Sequence, residues 1–282
     1  MEIVHTLRDL RLRLAGEGLV GLVPTMGSLH EGHLALVREA SNHASCVVTS
    51  IFVNRLQFGP TEDFDRYPRD LEADTKRLAS AGCQVVFAPT ESEMYPSPQR
   101  YFVEPPALQN ELEGAVRPGH FRGVCTVVLK LFHMVQPQVA VFGKKDYQQW
   151  TLLKEMVESL ALPIRMVPGE TIRAEDGLAL SSRNAYLSTD ERAEAPHLQM
   201  ALKRLAVAIH AGSATDLNQT IEQESMTLQQ RGWHVDYLTV RSQYALAEAK
   251  AKDRELVILG AARLGSTRLL DNLECYRLVG PS

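Results

Sequence analysis

Leu19-Val20-Gly21-Leu22-Val23 runs directly into Pro24-Thr25-Met26-Gly27-Ser28-Leu29-His30-Glu31-Gly32-His33, and the change of character inside that stretch decides the fold. The apolar run reads as a buried strand, Gly27 as a turn, and the residues from Glu31 to His43 as a helix. A strand that turns through glycine into a helix aims backbone N–H groups and the positive end of a dipole at an anion. Phosphate is the expected ligand. His30 and His33, three positions apart, are expected on one face of the first helical turn, where both can donate to phosphate oxygens. Gly32 between them costs roughly 1 kcal/mol relative to alanine inside a helix, which points to something, such as a flat base, that approaches the backbone closely. The pair also fits ordinary helix surface or half of a metal site. The metal alternative is the poorer fit, because only two residues separate the histidines and no nearby Cys or Asp cluster offers further ligands.

Outward from this stretch, short apolar runs rich in β-branched residues alternate with segments of helical period. Cys46 to Val53, Gln84 to Ala88, Val139 to Phe142 and Ile164 to Val167 read as further strands; Asp70 to Ala81, Gly123 to Val135 and Tyr147 to Leu160 read as helices. Such alternation implies right-handed crossovers and a doubly wound parallel sheet, on which ligands bind beyond the carboxyl ends of the strands. Gly27, Asn54, Gly143 and the segment after Val167 all follow strand ends. Tyr95 to Gln109, with Pro96, Pro98, Pro105 and Pro106, breaks the rhythm and reads as an insertion or flap. Past about Arg173 two long amphipathic helices are expected, Thr189 to His210 and Asp216 to Arg231. Strands near His234 to Val240, Glu255 to Ala261 and Leu273 to Leu278 follow, giving a smaller α+β domain. The order is α/β throughout the first part.

A second polar stretch, Leu180-Ser181-Ser182-Arg183-Asn184, follows the apolar Gly177-Leu178-Ala179-Leu180 near the domain junction. Two hydroxyls and a guanidinium in so short a run suit a mobile polyphosphate clamp, carried by a hinge. Read alone, the stretch is also an ordinary solvated loop.

Composition bounds the answer independently. The 282 residues allow one large or two ordinary domains, and a net charge of −4 does not suit a general nucleic-acid binder. No uncharged apolar run reaches the roughly 18 residues of a membrane span, and Met1-Glu2-Ile3-Val4-His5 lacks the regions of a signal peptide. Cys46, Cys83, Cys125 and Cys275 form no CxxC pair and read as buried, reduced thiols. A soluble, unexported, cytoplasmic protein with neither nucleic acid nor membrane as partner is expected.

The two polar stretches, in this order, resemble the HxGH and KMSKS-type signatures of nucleotidyl-transferring enzymes. The likeness extends through Ile51-Phe52-Val53-Asn54 with Gln57-Phe58, Leu112-Glu113-Gly114 with Arg117-Pro118-Gly119-His120-Phe121, and Phe142-Gly143 with Lys145-Asp146-Tyr147-Gln148-Gln149. It continues through Asp176 to Asn184, Ala262-Arg263-Leu264-Gly265 and Thr267-Arg268-Leu269-Leu270-Asp271-Asn272. Taken together these resemble the pantothenate synthetase (pantoate–β-alanine ligase) family over nearly the whole chain. The resemblance implies a Rossmann-like nucleotide- and pantoate-binding domain over residues 1–174 and a smaller α+β lid over 175–282. It implies an ATP-dependent ligase in which ATP and pantoate give pantoyl adenylate and pyrophosphate, β-alanine then displacing AMP. Mg²⁺ as the companion of ATP, and a homodimer, are implied as well.

What the resemblance implies for residues follows the same motifs. His30, His33 and Lys145 would donate to the phosphates, and Ser181, Ser182 and Arg183 would grip the β and γ phosphates. Pro24, Thr25, Met26, Gly27, Gly32, Gly143 and Leu180 would complete the ATP site, with Met26 and Gly32 against the nucleoside. Asp146 would accept from the ribose or position Lys145, or serve as a helix N-cap before Tyr147. Gln57, Gln149 and Asn54 would bind pantoate, the glutamines donating to its carboxylate or hydroxyl without neutralising the nucleophile. Glu113 and Arg117 are candidates for orienting other groups. No metal ligands are assigned.

Two positions depart from the family pattern: Arg55 stands where a proline usually follows the asparagine, and Lys144 where an acidic residue is common. Other classes compete. A phosphopantetheine adenylyltransferase is generally smaller, a class I aminoacyl-tRNA synthetase would be longer with a basic RNA surface, and a nucleotide sensor would bind ATP without turning it over. A dinucleotide oxidoreductase lacks support because no GxGxxG follows the first strand.

Overall fold

The structure, a computed structural model, describes residues 1–60, 62, 64–211 and 217–277. The chain forms two compact units, Met1–Lys144 with Gln149–Ile172, and Lys145–Gln148 with Arg173–Ser282. In chain order the first carries β1 (Glu2–Val4), α1 (Leu7–Leu14), β2 (Val20–Thr25), α2 (Glu31–Ser41), β3 (Cys46–Ile51), α3 (Leu71–Ser80) and β4 (Val85–Phe87). There follow α4 (Glu91–Met94), α5 (Glu113–Val116), α6 (His120–Val135), β5 (Val139–Gly143), α7 (Tyr147–Ser159) and β6 (Arg165–Gly169). The first two residues of α7 belong to the second unit.

All six strands of the first unit are parallel, in the order β1-β4-β3-β2-β5-β6. Alternate residues bury on opposite faces: Leu22, Val48, Phe87 and Ala140 pack with Leu10, α6 and α7, whereas Val23, Val47, Val86 and Val141 pack with α2 and Leu78 of α3. Covering both faces is why the strands read as unbroken apolar runs rather than alternating ones. Strand order reverses between β2 and β5. There β2 stays paired with β3 to Thr25↔Ile51, but its pairing with β5 spans only Gly21↔Val139 and Leu22↔Ala140. The two central strands therefore part before their carboxyl ends, and Pro24, with no N–H to give, stands where β2 has already left β5. A ligand crevice belongs at such a switch point.

The second unit holds α8 (Thr189–Glu194), α9 (His197–His210), α10 (Leu217–Gln230), and an antiparallel sheet of β7 (Trp233–Ser242), β8 (Glu255–Leu264) and β9 (Thr267–Tyr276). Leu202, Leu205 and Ile209 of α9 bury against Leu256 and Ile258 of β8. The single helix expected over Thr189 to His210 is two helices, because Pro196 has no N–H and stands as the N-cap of α9. The last strand begins six residues earlier than expected: the polar Arg268, Asp271 and Asn272 interrupt its apolar signal, yet β9 pairs with β8 from Leu264↔Thr267 onward. β1 and α1 had no sequence expectation, β1 being three residues long. The expected strand end at Leu278 and helix start at Asp216 lie outside the described residues. Residues 95–106 carry no helix or strand. All four cysteines are buried and form no disulfide, and burial pushes the Cys125 thiol up to about 12. Among the described residues no helix is long and apolar enough to cross a membrane.

Candidate active site

His30 is the N-cap of α2 rather than its first residue, with extended backbone (φ −132°, ψ 175°). Its Nδ1 accepts the Gly32 N–H at 3.1 Å, and the Nδ1 of His33 accepts the His30 N–H at 3.3 Å. This is a reciprocal capping box made of two imidazoles in place of hydroxyl and carboxylate. A ring nitrogen that accepts carries no proton, so in both neutral rings the proton sits on Nε2. The rings lie side by side, centroids 4.1 Å apart. A Cβ on Gly32 would sit 2.9 Å from Nδ1 and Cε1 of His30. The glycine thus makes room for its neighbour's ring, and the expected close approach of a base is not needed to explain it.

The backbone of the turn differs from the sequence expectation in one respect. Its N–H groups are already engaged: Gly27 with Thr25 Oγ1 at 3.3 Å, Ser28 with Asp74 Oδ2 at 2.9 Å and Leu29 with Asp74 Oδ1 at 2.8 Å. Asp74, buried on α3, occupies the position expected for an external anion. Arg77 of the same helix donates to the Leu29 carbonyl. Thr25 is likewise internal, its hydroxyl donating to the Ser50 carbonyl at 2.8 Å. In this turn the two imidazoles use their Nδ1 atoms as acceptors for backbone N–H groups.

Beyond β3, Asn54 is 1% exposed and fully engaged. Its Nδ2 donates to Gln57 Oε1 (3.0 Å) and the Gly123 carbonyl (3.2 Å), and its Oδ1 accepts from the Tyr95 hydroxyl (2.7 Å) and the Leu56 N–H (3.4 Å). With two donors and two acceptor sites used, Asn54 is held by the protein on every side. Gln57 retains its amide nitrogen, which points at Met26 Sδ, 3.1 Å away. Its backbone is gripped from α6, where a Cβ on Gly123 would lie 2.1 Å from the Leu56 carbonyl oxygen. His120 Nδ1 donates to the Gln57 carbonyl at 2.8 Å, and its Nε2 accepts from Arg117, whose other nitrogens hold Glu62 at 2.8 and 2.6 Å. Burial, and then the Arg117 charge, pull the His120 pKa down to about 4, so the ring is neutral near pH 7. Arg117, a candidate for orienting other groups, holds the His120 ring and Glu62. Gln149 is half-buried in the first turn of α7.

The two departures from the family pattern are neutralised locally. Arg55 lies 3.9 Å over the Phe64 ring with Nε 3.3 Å from Glu91, and Lys144 Nζ is 2.6 Å from Glu170. In the second unit, Lys145, Ser181, Arg183, Asn184, Arg268 and Asp271 line one cavity. Ser181 caps the helical turn Ser182–Tyr186, its oxygen accepting from the Arg183 N–H at 3.3 Å, which leaves its hydroxyl proton as the donor. The Lys145 carbonyl is fixed by Asn272 Nδ2 at 2.8 Å, and Arg173 pairs with Asp271 at 2.7 and 2.8 Å. The Asp146 carboxylate stands 3.9 Å from Lys145 Nζ. Asp74, Tyr95, Gly123 and His120 were not singled out from sequence as site-forming residues. The signal present was the acidic residue in the first turn of α3 and the glycine early in α6; neither spacing nor composition told what faced them.

A parallel sheet parted at its switch point, with a histidine-capped helix on one of the parted strands, defines an α/β protein of the class that binds small ligands beyond its strand ends. Known proteins narrow this class. The family profile described as pantoate-beta-alanine ligase matches residues 1–274. Pantothenate synthetase of Neisseria meningitidis serogroup B is 58% identical over 97% of this chain and 99% of its own length, and that of Leptothrix cholodnii is 58% identical over 97% and 100%. The crystal structure of the Thermus thermophilus enzyme superposes with a TM-score of 0.92 at 45% identity, covering 98% of this chain and all of that one. The Francisella tularensis pantoate-beta-alanine ligase, complexed with beta-gamma ATP and beta-alanine, gives 0.79 at 31% identity with full coverage of both chains. The chain belongs to the pantoate–β-alanine ligase family. It is an ATP-dependent ligase that makes pantothenate from pantoate, β-alanine and ATP.

Proposed function

We propose that ligation runs through an acyl adenylate. A pantoate carboxylate oxygen attacks the α-phosphorus of ATP, pyrophosphate leaves, and the neutral amine of β-alanine then attacks the adenylate carbonyl, expelling AMP with one of pantoate's oxygens. The carboxylate is already ionised near pH 7, so the first step asks for alignment and charge stabilisation rather than a base. The observation that carries this reading is the double-imidazole cap of α2. Its geometry places both ring protons on Nε2, so His30 and His33 act as two oriented donors to oxygens on which charge builds.

Lys145, Ser181, Ser182 and Arg183 are proposed for the phosphates that leave, with Asp146 steering Lys145. Pro24, Met26, Gly27, Gly143 and Leu180 are proposed for the rest of ATP, and the amides of Gln57 and Gln149 for pantoate. Thr25 and Gly32 support the turn and cap from inside, and Asn54 serves the pantoate pocket by holding Gln57. Residues 1–174 would then form the nucleotide- and pantoate-binding domain and 175–282 the lid. Mg²⁺ belongs to the proposal as the companion of ATP. Such an ion would be held chiefly by the ATP phosphates and water, which asks for no protein cage; among the described residues no three His, Cys, Asp or Glu side chains gather as one. A homodimer and a cytoplasmic location complete the reading, following the family resemblance.

Pantoate labelled with ¹⁸O in its carboxylate tests the route. The adenylate path puts one label into AMP, whereas a path through an acyl phosphate puts it into a different phosphate product and leaves AMP unlabelled.

A further inference from the structure

Gln57 and Asn54 are both primary amides, and an amide aimed the wrong way offers a substrate carboxylate an oxygen instead of a proton. Which way each points is settled by groups that have no choice of role. The Gly123 carbonyl can only accept and the Leu56 N–H can only donate, so the Asn54 atoms facing them are Nδ2 and Oδ1 respectively. Nδ2 of Asn54 in turn faces Gln57, which must meet it with Oε1. The Gln57 NH₂ group then points away, toward Met26.

Asn54 Oδ1 has one short partner, the Tyr95 hydroxyl at 2.7 Å; its other contact, Leu56 N, is at 3.4 Å. Tyr95 lies directly after α4, at the start of the segment without regular structure, with its ring 6.0 Å from that of Phe52 and the Lys130 ammonium 4.8 Å above it. The ring is thus anchored by packing, independently of its hydroxyl. Burial raises the phenol's pKa well above its ordinary value, so the proton it donates is present throughout the working range.

We propose that Tyr95 is a positioning residue for pantoate: through Asn54 it locks the amide of Gln57 so that its NH₂ group, and not its oxygen, faces the substrate. The proposal rests on the reading of Gln57 as a pantoate-binding residue. Tyr95 touches no substrate itself. It acts along the relay Tyr95 Oη to Asn54 Oδ1, Asn54 Nδ2 to Gln57 Oε1.

Tyr95→Phe keeps the ring and removes only the donor. Steady-state kinetics on the full chain should show the pantoate KM raised roughly three- to tenfold, the range for one lost hydrogen bond, with kcat and the ATP KM unchanged and thermal melting close to the parent. The deciding comparison is a double-mutant cycle with Gln57→Ala. If Tyr95 works through Gln57, adding Tyr95→Phe to Gln57→Ala gives no further rise in pantoate KM. A further rise of the same factor places Tyr95 on another route and overturns the relay. A pantoate KM unmoved by Tyr95→Phe while Gln57→Ala raises it also overturns the relay and leaves the reading of Gln57 standing. An unmoved pantoate KM in Gln57→Ala itself overturns both. Equal loss in kcat and both KM values would mark Tyr95 as merely structural.

Discussion

Asp74 Oδ1 lies 2.8 Å from the backbone nitrogen of Leu29, and through it one carboxylate on α3 sets the turn that leads into α2. Gly27 (φ 82°) and Ser28 (φ 52°) are both left-handed there, a conformation that costs a non-glycine residue about 1 kcal/mol or more and needs an outside hold. Asp74 supplies it by taking the Ser28 and Leu29 N–H groups together. Replacing Asp74 by alanine removes two charge-assisted bonds from a buried turn, for an expected loss of about 2 to 4 kcal/mol. Denaturant melts should show that loss, with turnover falling alongside because the histidine cap follows directly. Asp74→Asn, with one carbonyl oxygen for two donors, should fall between. A stable Asp74→Ala variant with full turnover would mean the turn holds itself.

His33→Ala and Lys145→Ala are each expected to lower kcat by roughly 10² to 10³, the cost of one preorganised donor at a developing charge. Circular dichroism and melting would establish that the fold is kept. Near-parental turnover in either folded variant removes that residue from the chemistry. His33→Ala has a second consequence, since the His30 N–H loses its partner.

The parallel sheet was legible because strands covered on both faces advertise themselves as apolar runs; Val47-Val48 and Val85-Val86 each send one side chain to either face. The histidine turn was legible for a different reason, its spacing being local. What sequence did not reveal is what the turn does with its own N–H groups, because the acceptor, Asp74, comes from 45 residues downstream. The partners of Asn54 were hidden in the same way: Gly123 and Tyr95 are brought to it by tertiary packing. Polar side chains whose partners are distant in sequence look alike whether they bind a substrate or the protein itself.

His120 gives the chain a pH dependence with a definite sign. Its folded pKa of about 4 is below the ordinary 6.5, so between those values the unfolded chain binds the extra proton. Stability contributed by the neutral ring is therefore complete above about pH 6.5 and is lost as pH falls toward 4, by up to about 3 kcal/mol. Arg117, Glu62 and Glu113 are the charged groups whose influence the ring feels, Arg117 opposing its protonation and the two glutamates favouring it. Melting measured from pH 7 to 4 should fall more steeply for the parent than for His120→Asn, which does not titrate. Parallel curves would contradict the assignment.

Gly123→Ala should act on pantoate more than on ATP. The new methyl would meet the Leu56 carbonyl oxygen and the Gln57 nitrogen, 2.1 and 2.7 Å away, and so displace the segment that carries Gln57. A rise in pantoate KM with a smaller change for ATP is expected, together with a melting loss of about 1 to 3 kcal/mol from overpacking. Unchanged pantoate affinity would show that the segment's position does not matter to substrate.

Pyrophosphate–ATP isotope exchange with Mg²⁺ present and β-alanine left out reads the adenylation half-reaction alone. The account predicts exchange that depends on pantoate and disappears in the His33→Ala and Lys145→Ala variants. Exchange without pantoate, or none with it until β-alanine is added, would contradict an adenylate formed before the amine arrives.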